Sequence, residues 1–127
     1  MATIKIFRDL QVWQKAHTLV LLVYKLTSDF PKTELFGLTS QVRRSAASVP
    51  TNIVEGFRRR NLRDSLHFYN IADASLEETK YHFLLAKDLE YIKKAEHDSA
   101  LQLCEEVGKL LTRWIQVQRS YLPQNKT

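Results

Sequence analysis

Among the residues able to do chemistry in this 127-residue chain, six arginines stand out by their spacing. Arg58, Arg59 and Arg60 are consecutive and Arg63 follows within one helical turn, while Arg43 and Arg44 come about 21–25 Å earlier in the same apolar-periodic stretch, close to the same side if it stays helical. A guanidinium is planar, always charged, and donates paired hydrogen bonds to phosphate oxygens. Such a cluster suits the backbone of RNA or DNA. Phe57, Phe68 and Tyr69 lie beside it in sequence and are of the type that stacks on bases in single-strand binders, with core packing as the alternative use. For the arginines the alternative is a solvated corner, or ion pairs that serve subunit assembly in a protein–protein scaffold.

The other chemistry-bearing side chains do not converge. His17, His67, His82 and His97 are scattered. Asp64-x-x-His67 and Glu78-x-x-x-His82 come nearest to ligand pairs, yet a di-metal bundle needs two Glu-x-x-His pairs and two further carboxylates. Both histidines therefore read as partly exposed helix-surface residues. Cys104 is the single cysteine and reads as a small buried hydrophobe beside the core register. Gly37, Gly56 and Gly108 are too few and too dispersed for a phosphate-cradling loop. Asp73 falls near an inward face and reads as a buried polar contact. The expectation is a protein that is not an enzyme, with no catalytic residue, metal, cofactor or small-molecule substrate.

Charge is unevenly placed. The net charge is +5. Between Lys32 and Arg63, seven basic residues face only Glu34 and Glu55, whereas the following stretch to Glu90 carries six acids against Lys80 and Lys87. One segment thus holds a positive excess equal to that of the whole chain, which attracts polyanions without specifying a fold. A lone cysteine, an N-terminus without a signal pattern and no apolar run near the ~20 residues of a membrane span lead to the expectation of a cytoplasmic protein.

The elements that must position these residues are helices. Three glycines and three prolines leave few turns, against a many-stranded fold. Asp9 is the expected N-cap of a first helix in which Val12, Ala16, Leu19, Val23, Leu26 and Phe30 share one face. Leu10, Trp13, Val20 and Tyr24 widen that face beyond one seam, so the helix is either deeply buried or meets another subunit. A second helix from Thr33 or Glu34 carries Leu35, Leu38, Val42, Ala46, Val49, Ile53 and Phe57. Its register passes unchanged through Pro50, which predicts one helix kinked there, the alternative being a break with Ser48 or Val49 as a new cap. Asn61 should cap a third helix carrying Leu62, Leu66, Tyr69, Ala72, Leu76, Phe83, Ala86 and Leu89. A fourth, from about Ile92, carries Ala100, Leu103, Val107, Leu110, Trp114, Val117 and Tyr121. The sum is an all-α protein, an antiparallel up-down four-helix bundle with a Pro-kinked second helix. It forms a single domain over 1–122, with 123–127 as a disordered polar tail.

Several segments in order carry a family likeness: Phe7-Arg8-Asp9-Leu10-Gln11-Val12-Trp13, Phe30-Pro31, Glu34-Leu35-Phe36-Gly37-Leu38, Gln41-Val42-Arg43-Arg44-Ser45-Ala46, Ser48-Val49-Pro50-Thr51-Asn52-Ile53-Val54-Glu55-Gly56 and Phe68-Tyr69-Asn70-Ile71-Ala72-Asp73-Ala74-Ser75-Leu76-Glu77-Glu78. Over roughly residues 7–120 the chain resembles the bacterial four-helix-bundle proteins encoded by intervening sequences in 23S rRNA genes. Val54 stands where that family usually has alanine, and Ala74 where it often has glycine. The resemblance implies a bundle that assembles into a ring, typically a homopentamer. It also implies similarity to the accessory proteins of diversity-generating retroelements, basic rings that bind nucleic acid and a reverse transcriptase. It assigns no nucleic-acid residues. Those expected here, Arg43, Arg44, Arg58, Arg59, Arg60 and Arg63, follow from charge placement alone.

Overall fold

The structure is a computed structural model that describes residues 4–123, so the expected tail beyond Pro123 lies outside the described residues. Four α-helices, α1 (Gln11–Thr27), α2 (Leu38–Arg58), α3 (Leu62–Asp88) and α4 (Lys94–Arg119), are joined by short connections, with 3₁₀ turns at Phe7–Asp9 and Lys32–Glu34. No strand occurs among the described residues, and no helix is long and apolar enough to cross a membrane.

Each helix exists because its apolar residues recur every three to four positions and find a common interior. Val12, Ala16, Leu19 and Val23 of α1 are buried, as are Val42, Ala46, Val49 and Ile53 of α2 and Leu66, Tyr69, Ala72, Leu76 and Phe83 of α3. Contacts join α1 to α2 and α4, and α3 to α2 and α4. Paired residues run in opposite order along neighbours. Ser48 meets Ser75 and Ser45 meets Thr79 and His82, Gly56 lies against Ser65 and Tyr69, and Tyr69 sets its ring edge-on to Trp114. Helices α2 and α3 are therefore antiparallel, and Thr27 meeting Arg43 while Phe7 and Trp13 lie beside Val54 makes α1 and α2 antiparallel as well. One end of the bundle gathers the 3₁₀ turn at Phe7–Asp9, the α2–α3 connection and the end of α4. The opposite end holds the α1–α2 and α3–α4 connections.

Several boundaries and faces differ from the sequence reading. Asp9 does not cap α1. Phe7, Arg8 and Asp9 close their own 3₁₀ turn, with Leu10 N–H donating to the Phe7 carbonyl at 2.9 Å, and Leu10 takes the cap position. The second helix begins at Leu38 rather than Thr33 or Glu34, because the chain after Pro31 makes one 3₁₀ turn. Glu34 then turns its carboxylate back to accept the Leu38 N–H at 3.2 Å, which satisfies one of the unpaired donors of the first helical turn. Leu35, expected inside, is half exposed as a result.

Pro50 sits within α2, which runs unbroken from Leu38 to Arg58, so the break with a new cap at Ser48 or Val49 does not occur. Asn61 caps α3 as expected, its Oδ1 accepting the Arg63 N–H at 2.8 Å. On α4 the buried stripe is Ala100, Cys104, Val107, Leu111 and Ile115. Leu103, Leu110 and Trp114 only flank it, and Val117 and Tyr121 are exposed. The apolar arc of α4 is wide enough for either choice. Small side chains at 100, 104 and 107 let the helix axis approach the core, and the bulky ones close the sides.

Candidate nucleic-acid interface

The six arginines separate into three settings. Arg58 ends α2, Arg59 is its extended C-cap, Arg60 follows in the connection and Arg63 lies in the first turn of α3. The turn is sharp because Arg59 leaves the helical region and Asn61 starts the next helix at once, so four guanidinium groups crowd one corner. Arg59 donates to Glu55 at 2.8 Å and lies over the Phe68 ring at 4.5 Å. Arg58, Arg60 and Arg63 are exposed and form no ion pair with a described residue.

Arg44 stands about 21 Å down α2 from Arg58 at 1.5 Å per residue. It lines a groove between α2 and α3 together with Gln41, Ser45, Ser48, Ser75 and Glu78. Arg43 points elsewhere. Its Nε donates to Thr27 Oγ1 at 2.9 Å and its guanidinium covers the Tyr24 ring at 4.6 Å, which ties α2 to α1. The expectation that Arg43 and Arg44 lie close to the triplet's side is thus corrected for Arg43, which is turned to α1, whereas Arg44 lies about 100° round the helix from it. Arg43 is an interhelical clamp.

The bundle adds cations that spacing along the chain does not reveal. The 3₁₀ turn carrying Arg8 packs against α2, and Arg119 closes α4 at the same end. Both lie far in sequence from the triplet, and only antiparallel topology brings them to one end with it. The signal available beforehand was the up-down connectivity itself.

The aromatics near the triplet divide as well. Tyr69 is core and Phe57 packs against the core, while Phe68 is half-buried beneath Arg59.

A second polar feature runs along the α2–α3 seam. Ser45 Oγ lies 3.0 Å from His82 Nδ1 and 2.9 Å from Thr79 Oγ1. Ser48 Oγ lies 2.8 Å from Ser75 Oγ and accepts from Asn52 Nδ2 at 2.9 Å. His82, expected partly exposed, is buried here, because the small Ser45 across the seam leaves room for the ring and hydrogen-bonds its Nδ1. Burial holds its pKa below the usual imidazole value, with Glu78 opposing the shift. Ser45 and His82 do not amount to an activated nucleophile. The Ser45 hydroxyl is buried among its partners, and Glu78 stands 3.9 Å from Nε2, too far to orient the ring by a hydrogen bond. The seam is a satisfied polar zipper.

Asp73, expected inside, is exposed on the α4 side of α3. Cys104 is fully buried, and burial pushes its thiol up to about 12, leaving no reactive thiolate. No group of three metal-ligating side chains occurs among the described residues.

Residues 8–113 match the family described as 23S rRNA-intervening sequence protein. The chain belongs to that family. A solved relative shares the fold: a protein of unknown function from the S23 ribosomal protein family of Bacteroides thetaiotaomicron VPI-5482. It aligns with a TM-score of 0.74 at 27% identity, over 83% of this chain and 98% of that one. No curated protein matches. Family membership and the arginine corner are separate observations, since the match covers Arg58 to Arg63 but names no residue roles.

Proposed function

We propose that this family member is a non-enzymatic bundle that assembles into a ring of copies, a homopentamer, and holds the phosphate backbone of RNA or DNA at its arginine-rich end. The observation that carries the reading is the corner of Arg58, Arg60 and Arg63, three exposed guanidinium groups without ion-pair partners among the described residues, with Arg8 and Arg119 at the same end. Three like charges on one tight turn repel each other at a cost to the fold, and a phosphate backbone relieves that repulsion. Leu21 and Tyr24, exposed on α1, support contact between copies. In a ring each copy repeats the corner, so weak phosphate contacts gain avidity.

Binding of fluorescent single strands and structured RNA, followed by anisotropy, tests the reading. Affinity should vary little with sequence and fall steeply as salt rises from about 50 to about 200 mM, because released counterions drive association. Replacing Arg58, Arg59 and Arg60 with alanine should weaken binding and flatten the salt dependence. Equal binding by parent and variant at every salt concentration overturns it.

A second reading has its own support. Glu77 and Glu78 are exposed on α3 and offer a neighbouring copy's arginines an acidic partner, which would make the corner an assembly device. Particle mass by light scattering separates the two. Loss of the ring in the arginine variant favours assembly, and an intact ring that no longer binds favours nucleic acid.

A further inference from the structure

Between α1 and α2, near the arginine end, lies a shallow groove of about 240 Å³ lined by apolar and aromatic groups. Its α1 wall is an aromatic stack. Trp13 and His17, one turn apart, lie parallel with ring centroids 5.1 Å apart and planes 6° from coplanar, and Phe7 meets Trp13 edge-on at 4.9 Å. Trp13 is half-buried and His17 exposed, so the stack is held from below and open above. Val20, Ala47, Pro50, Val54 and the single hydroxyl of Thr51 complete the lining. Pro50 has no N–H, and no carboxylate lines the groove.

The groove leads toward cations. Arg58 is one turn beyond Val54 on α2, so the two are neighbours on one face. Arg8 directly follows Phe7 in the 3₁₀ turn. The nearest acid on α2, Glu55, is paired with Arg59.

We infer that this groove receives an unpaired base of single-stranded nucleic acid, which stacks on His17 backed by Trp13, while Arg58 and Arg8 hold the flanking phosphates. The inference rests on the proposed function and adds the form of nucleic acid that the protein prefers. Its volume is below the 300–1,000 Å³ or so of sites that enclose a drug-sized ligand, and an open, flat-walled groove suits one planar ring. Charge complementarity points the same way, an apolar wall beside cations matching a base beside its phosphates. A duplex hides its base faces and gains only the arginine contacts. Stacking is indifferent to base identity because every base has a π-face, in keeping with a binder that does not read sequence.

The test uses the full chain with His17→Ala and His17→Phe, both at an exposed position where folding is not at stake. Affinities are measured for a labelled oligothymidylate and for a blunt RNA duplex, together with particle mass. His17→Ala should bind the single strand about five- to a hundredfold more weakly, the range expected for one lost stacking contact, and His17→Phe should restore it. Duplex affinity and particle mass should not change. The inference is overturned if His17→Ala binds the single strand as the parent does, or if it loses single strand and duplex alike. A change in particle mass also overturns it, since a second copy then covers the groove. In each of those cases a parent protein that still binds nucleic acid through Arg58, Arg59 and Arg60 leaves the proposed function standing. A parent that binds neither probe overturns both.

Discussion

The two ends of the bundle handle charge in opposite ways. At the end formed by the α1–α2 and α3–α4 connections, several charged groups are engaged. Glu34 accepts from the Leu38 N–H and from the Tyr91 hydroxyl at 2.8 Å, Lys94 pairs with Asp98 at 3.0 Å, and Glu96 accepts the Lys93 N–H at 2.8 Å. At the other end a sharp turn presents Arg58, Arg60 and Arg63 without such partners among the described residues. Pairing of exposed ions contributes little to stability, with a median of about 0–1 kcal/mol, so the difference is not mainly one of folding energy. It concerns availability. One end has used several polar groups to fix connections, and at the other, three guanidinium groups have no ion-pair partner among the described residues.

The arginine end depends on a close helix approach, which gives the strongest way to break the comparison. A Cβ at Gly56 would stand inside contact distance of the Tyr69 ring and 2.9 Å from the Ser65 carbonyl oxygen. The oxygen belongs to backbone and cannot swing aside. Gly56→Ala should destabilise the protein by about 1–3 kcal/mol in urea unfolding, the usual cost of overpacking. Unchanged stability would mean that α2 and α3 are less tightly seated at this end.

At the opposite end, Tyr91→Phe removes the hydroxyl that holds Glu34. It should lower stability by less than Gly56→Ala does in the same urea unfolding, because water can replace a partly exposed hydrogen bond, and leave nucleic-acid affinity unaltered. A loss of affinity in this variant would erase the distinction between the ends.

The smallest effect concerns pH. His82 has a lowered pKa in the folded state and its ordinary value when unfolded. The unfolded chain therefore binds the extra proton first, so His82 lowers stability as pH falls through the ordinary imidazole range toward the folded value. His82→Gln, which keeps a hydrogen-bonding group, should flatten the acid side of a stability–pH profile without changing its neutral plateau. An identical slope in both proteins would show that the buried imidazole is not the group titrating.

Much of the fold was legible because four apolar stripes with helical period specify four helices, and few glycines and prolines leave few connections. Asn61 was readable as a cap because its side chain acts within two residues of itself. The start of α2 was not, since Glu34, which accepts the Leu38 N–H, is also held by Tyr91 far along the chain. The inward stripe of α4 was ambiguous because Leu103, Leu110 and Trp114 are as apolar as Cys104, Val107 and Leu111. Packing against α1 and α3 decides between them. The triplet and Arg63 were visible as a run, whereas Arg8, Arg119 and the Trp13–His17 stack become neighbours of that run only through topology. His82 was misread for the same reason, its hydrogen-bond partner Ser45 lying on the neighbouring helix α2.

The most direct measurement compares equal charge removals at the two ends. Arg58, Arg60 and Arg63 are replaced by alanine in one variant and Lys87, Lys93 and Lys94 in the other, and the salt dependence of single-strand binding is followed for both. The slope of log affinity against log salt reports the phosphates neutralised, at about 0.7 per contact for single strands. The arginine variant should lose affinity and about two units of slope, with the lysine variant close to the parent. Equal losses in both would contradict the account, because binding would then follow net charge and not the arginine end.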